Sequence, residues 1–82
     1  MKTNIKTIIK TAMASRNYTQ AALAKDAGWK NQSSLSTAIN RDNPSLETIL
    51  RIMDAMGYDI IIKDRKNQTT AWPIKRVEED EE

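Results

Sequence analysis

The chain has 82 residues, the size of one small domain, and its 13 Lys and Arg against 11 Asp and Glu give a net charge of +2. A chain this short buries only about 60% of the surface its unfolded form exposes, so dimerisation is the simplest source of added stability. It contains neither Cys nor His, which excludes disulfides, thiol catalysis and the commonest metal ligands, so no metal or other cofactor is expected.

Residues 3–15 are predicted as the first helix, because Ile5, Ile8, Ile9, Ala12 and Met13 recur at three- and four-residue steps and mark a buried face. Lys2, Lys6 and Lys10 follow another stripe, which is either a solvent face or one turned towards phosphates. Arg16-Asn17-Tyr18 makes the connection, with Tyr18 placed to staple the next helix to the core. Thr19 caps that second helix, 19–27, by accepting a free N–H of its opening turn. Its apolar stripe is Ala22, Leu23 and Ala27, and Gly28 stops it by tolerating positive φ. Trp29, in the turn, has two readings: a cover over the core with its indole N–H outward, or a donor to a phosphate.

The helical pattern restarts at 32–40 with Leu35, Ala38 and Ile39 on one face. The opposite face carries Gln32, Ser33, Ser36, Thr37, Asn40 and Arg41: short donors and acceptors, one cation and no acid. Two short helices about a tight turn form a helix-turn-helix, and such a face complements the base edges and phosphates of a major groove. The alternative is a polar solvent face that binds something other than double-stranded DNA. Charge favours DNA. Residues 1–41 hold seven basic side chains against one acid, a balance of +6, whereas the last five residues carry −5. A basic body with an acidic tail is common in nucleic-acid-binding proteins.

Asp42-Asn43-Pro44 breaks the chain, because the residue before proline is pushed out of the helical region. Ser45 caps a fourth helix, Leu46 to Met56, whose predicted buried stripe is Leu46, Ile49, Leu50, Met53 and Met56. Gly57 ends it as Gly28 ends the second. The period then changes: 58–63 is β-branched and apolar, 64–68 is turn-like, and 69–75 returns as a second strand. Pro73 confines that strand to an edge. A lone hairpin is marginal in water, so Ile60, Ile61 and Ile62, with Trp72, are the expected homodimer contact. Residues 77–82 are expected to be a disordered acidic tail.

Residues 16–57 resemble the DNA-binding domain of the phage-repressor family (Cro/repressor-like, Xre-type). The resemblance rests on Gln20 opening the second helix, Ala24 and Gly28 four apart, and Gln32-Ser33-Ser34-Leu35 opening the third. Asn43-Pro44-Ser45-Leu46-Glu47-Thr48-Ile49-Leu50, then Ala55-Met56-Gly57, is similar to the family's fourth helix and its exit. One departure concerns the turn. Gln32 lies four positions after Gly28 where the family usually has three, which leaves the recognition-helix register open by one residue. The resemblance implies a four-helix helix-turn-helix domain; with the extended pattern that follows it, the expected fold is mainly α, with that domain over 1–57 and a β-hairpin dimerisation element over 58–76. It also implies that Gln20 contacts phosphate and braces Gln32.

Gln32, Ser33, Ser36 and Thr37 are therefore the candidate base contacts. Gln20, Lys30, Asn31, Asn40, Arg41 and Asn43 are the candidate phosphate contacts. A sequence-specific regulator, a repressor acting as a homodimer on an inverted repeat, is the leading expectation. The alternative is an antitoxin that binds its own promoter and neutralises a toxin through residues 58–82. Enzyme activity is not expected, since the two glycines serve as helix stops and no phosphate-cradling loop exists. With no apolar run near the roughly 20 residues of a membrane span, and no signal-peptide core, a cytoplasmic protein without a membrane partner is expected.

Overall fold

In the computed structural model, four helices and a two-stranded antiparallel hairpin follow one another along the chain: α1 (Ile5–Ser15), α2 (Gln20–Ala27), α3 (Gln32–Ile39), α4 (Leu46–Met56), β1 (Ile60–Lys63) and β2 (Ala71–Ile74). Residues 2–77 are described, so the acidic tail expected at 77–82 lies, from residue 78 onward, outside the described residues.

Each helix contributes to a single core. Ile9 and Met13 come from α1, Leu23 and Ala24 from α2, Leu35 and Ile39 from α3, and Ile52, Met53 and Met56 from α4. Ile9, Leu23, Leu35, Ile39 and Ile52 are sealed completely from solvent, and among the described residues no polar or charged side chain is buried with them. Non-directional burial of these aliphatic groups therefore supplies most of the stability.

Three helices end with the same device. Asn17 (φ 56°), Gly28 (φ 79°) and Gly57 (φ 81°) are left-handed. The amide of the following aromatic then reaches back five residues: Tyr18 to Met13 O, Trp29 to Ala24 O, and Tyr58 to Met53 O, at 2.8–2.9 Å. This is the Schellman pattern, in which the terminal carbonyls find donors and the next residue packs on the helix. Tyr18, Trp29 and Tyr58 all lie against the core. Helix starts are capped as the sequence suggests at Thr19, which accepts from Ala22 N at 3.1 Å, and at Ser45, which accepts from Thr48 N at 3.2 Å. At Gly57 an added Cβ would meet nothing within 4 Å, so Gly57→Ala carries only the backbone penalty. We expect it to lower unfolding free energy by about 1–2 kcal/mol, as read from urea denaturation.

Several expectations need correction. α1 starts at Ile5 rather than residue 3, because Thr3 turns its hydroxyl to accept from Ile5 N (3.3 Å) and forms the turn before the helix. α3 ends at Ile39, with Asn40 as its cap. In α2 it is Ala24, not Ala22, that is buried. Ile52, absent from the predicted stripe of α4, is fully buried, whereas Leu46 is 50% exposed and Ile8 of α1 is 44% exposed. The cause is common to both exposed residues: α1, α4 and the start of β1 leave an open apolar cleft of about 580 Å³ between them, and Ile8 and Leu46 line it.

The strands are shorter than 58–63 and 69–75, with Ile60 opposite Ile74, Ile61 opposite Pro73, Ile62 opposite Trp72 and Lys63 opposite Ala71. Ile60 packs at the edge of the core, while Ile61, Ile62 and Trp72 are more than half exposed. Among the described residues, no helix is long and apolar enough to cross a membrane.

Candidate nucleic-acid interface

Leu35 and Ile39 drive one side of α3 into the core, and helical spacing turns Ser33, Thr37 and Asn40 outward. Gln32 and Ser33 are exposed in its first turn, Thr37 is exposed one turn on, and Ser36 is half-buried beside them. The structure thus brings the four candidate base-reading residues onto one solvent-facing side of one short helix.

Their hydrogen bonds fix what each can offer. The Thr37 hydroxyl donates to Ser33 O at 3.0 Å, which ties the oxygen to its own helix and leaves the methyl facing solvent. Asn40 Nδ2 donates to Ser36 O at 2.8 Å, with the Ser36 hydroxyl 3.4 Å away. Ser36 and Asn40 are therefore a linked pair rather than two independent probes.

The candidate phosphate contacts divide similarly. Asn31 is the N-cap of α3: its Oδ1 accepts from Ser34 N at 2.9 Å, a role the sequence reading did not give it, and its Nδ2 remains a donor. Lys30 and Arg41 stand exposed at either end of α3, Asn43 is exposed in the connection to α4, and Gln20 is half-buried where α2 opens. Among the described residues, no hydrogen bond joins Gln20 to Gln32. Lys6 reaches the same side of the molecule, 3.8 Å from Asp42 in the loop after α3. Thr3 supports that approach by donating to Asp42 O at 3.4 Å.

Two residues near the interface were not singled out from sequence. Arg51 of α4 donates from Nε to Ala27 O at 2.8 Å and from its terminal nitrogen to Gly28 O. Its guanidinium also stacks 4.0 Å from the centre of the Trp29 ring. One side chain thus satisfies the carbonyls at the end of α2 and covers the indole, a cation at a helix C-terminus and a cation–π contact at once. Trp29 packs half-buried against the core. The other missed residue is Ser34, exposed on the flank of α3, where it shares a groove of about 260 Å³ with Thr37, Arg41, Ser45 and Arg51.

On the far side of α2, the Tyr18 hydroxyl donates to Asp26 Oδ2 at 2.7 Å and lies 3.4 Å from Ala55 O. The bond to the carboxylate is the chief reason the phenol is held above its ordinary value of 10. This pair ties α2 to α4 and engages Asp26, the one acid of the basic N-terminal half, away from α3.

Among the described residues, no group of His, Cys, Asp and Glu could hold a metal ion. Residues 9–62 match the family model described as Helix-turn-helix. No curated protein and no solved structure matches the chain.

Proposed function

This chain belongs to the helix-turn-helix family of Cro- and C1-type DNA-binding transcriptional regulators, and we propose that it is a sequence-specific repressor that binds an inverted-repeat operator as a homodimer. The observation that carries this reading is the exposed face of α3, with Gln32, Ser33 and Thr37 presented together and Lys30 and Arg41 at its ends. In this reading residues 1–57 bind DNA and residues 58–76 hold the dimer together. Two copies of α3 then enter successive major grooves about 34 Å apart.

The roles follow from the donors available. Gln32 accepts from adenine N6 and donates to N7, the bidentate pairing open to an amide. Thr37 offers its methyl to a thymine methyl, since its hydroxyl is engaged by Ser33 O. Ser33 and the Ser36–Asn40 pair read more loosely. Lys30, Arg41, Asn43, Gln20 and the free Nδ2 of Asn31 contact phosphates, which supply affinity and register rather than sequence information.

The test is binding of the purified protein to its own upstream DNA and to scrambled duplex across a salt series. A preference of about 10³-fold or more is expected for the upstream fragment. Gln32→Ala should cost about 1–3 kcal/mol of that preference while leaving binding to scrambled duplex unchanged. Equal binding to both fragments by the unaltered protein at every salt concentration would reject a promoter-binding repressor.

A second reading, an antitoxin that docks a toxin through residues 58–82, draws on the exposed Ile61, Ile62 and Trp72 of the hairpin. It shares the DNA activity and adds a partner. Rescue of a growth arrest caused by the product of an adjacent reading frame, lost on truncation at residue 57, would distinguish it.

A further inference from the structure

The two edges of the hairpin differ. Asp64 N donates to Thr70 O at 3.1 Å, which continues the register of β1 on β2 and makes that pair a hydrogen-bonded one. Bonded and non-bonded pairs alternate in an antiparallel ladder, so 62/72 and 60/74 are bonded whereas 61/73 and 63/71 are not. The backbone groups of Ile61 and Lys63 therefore point away from β2, along the outer edge of β1. On β2 the outward positions are Ala71 and Pro73, and Pro73 has no N–H to give. Among the described residues β2 is the one strand paired with β1. The outer edge with its N–H groups intact is that of β1.

That edge is also self-complementary. With a two-fold axis through Ile61, an antiparallel copy sets Ile61 against Ile61, Ile60 against Ile62, and Asp59 against Lys63, the last two pairs occurring twice by symmetry. The two neighbouring allowed registers set Ile61 against Lys63 and Ile60 against Asp64, or Ile61 against Asp59 and Ile62 against Tyr58, so the central register alone places all three isoleucines against isoleucines. Ile61 and Ile62 are each 52% exposed, and Asp59 and Lys63 are exposed. Among the described residues the ion pair present is Lys6–Asp42, and neither Asp59 nor Lys63 is paired with another of them.

We infer that a second copy of this chain docks on the outer edge of β1, giving a four-stranded sheet in the order β2-β1-β1-β2 centred on Ile61 and locked by two Asp59–Lys63 pairs. The inference rests on the homodimer in the reading above and specifies its edge, axis and register. A two-fold contact is isologous, as an inverted-repeat operator requires.

The chain's lack of Cys allows a direct test. In a bonded antiparallel pair, facing Cα atoms lie about 5.5 Å apart, within the span of a disulfide. Ile61→Cys in the full chain should form a disulfide-linked dimer on mild oxidation with copper phenanthroline, whereas Trp72→Cys, with two strands between it and its symmetry mate, should stay monomeric on a denaturing gel. By sedimentation, Asp59→Lys and Lys63→Asp should each weaken dimerisation about tenfold, as expected when two cross-strand attractions become repulsions. Their combination should restore it to near the parent value. A dimer that cross-links at neither position, or a double reversal no better than the singles, overturns this register. So does a chain that sediments as a monomer. Binding of each variant to upstream DNA is measured in parallel. Retained specific binding with failed cross-linking overturns the edge pairing alone, whereas specific binding absent from the parent overturns the regulatory reading and leaves the cross-link to judge the pairing.

Discussion

Replacing Arg51 with methionine should lower the unfolding free energy by about 2–3 kcal/mol. The side chain makes two charge-assisted hydrogen bonds, to Ala27 O and Gly28 O, and hydrogen bonds to charged groups are worth roughly 1.5–3 kcal/mol each. One of them is solvent-exposed and counts for less. The stacked guanidinium over Trp29 adds about 0.5–1 kcal/mol, and methionine retains part of that packing. A small domain has only about 3–5 kcal/mol in total, so the loss is a large share. With a urea slope near 1 kcal/mol per molar for a chain this size, the midpoint should fall by about 2–3 M. Arg51→Lys should recover little of it, because an ammonium cannot donate as a fork to two carbonyls while lying flat on an indole. A midpoint within about 0.5 M of the parent would mean that the turn between α2 and α3 is held by other contacts.

Leu35→Ala should have an effect at least as large, about 2–5 kcal/mol, from lost transfer energy and the cavity left behind. Leu35 is completely buried and lies on the side of α3 opposite the exposed polar face. Thermal unfolding should shift down by about 10 °C or more. The effect on DNA binding follows from the same geometry. Leu35 and Ile39 are what press α3 onto the core, so a helix loosened at Leu35 presents its polar face in many orientations. Affinity for the upstream fragment should fall at temperatures where circular dichroism still reports a folded protein. An unchanged melting temperature would show that the core closes over the gap.

The features legible from the sequence are those whose causes are local. Thr19 and Ser45 cap helices because a hydroxyl reaches an amide three residues on, and Gly28 and Gly57 end helices because their own φ allows it. Asn17 performs the same function with a weaker signal, since asparagine enters the left-handed region less freely than glycine and also occurs in ordinary turns. The illegible features depend on distant partners. Arg51 acts on residues 23 and 24 positions away, and nothing in its own neighbourhood announces that. Ile8 and Leu46 sit in apolar stripes at correct helical spacing, yet a stripe shows only which side turns inward, not whether another element arrives to cover its margin. The candidate site shows the same division. The polar face of α3 follows from periodicity, whereas the commitment of Asn31 to a cap and of Asn40 to Ser36 appears only once the backbone is in place.

Pro73 has a consequence for how the protein behaves at high concentration. Residues 60–62 are three consecutive isoleucines with two of them half exposed, and a free strand edge of that composition templates the addition of further chains. A sheet that grew by joining at β1 would end on β2 at both sides, where Pro73 removes one of the outward N–H groups a fifth strand would bond. Addition beyond four strands is disfavoured. The proline costs the hairpin no bond to β1 and works against the addition of further chains at the β2 edge.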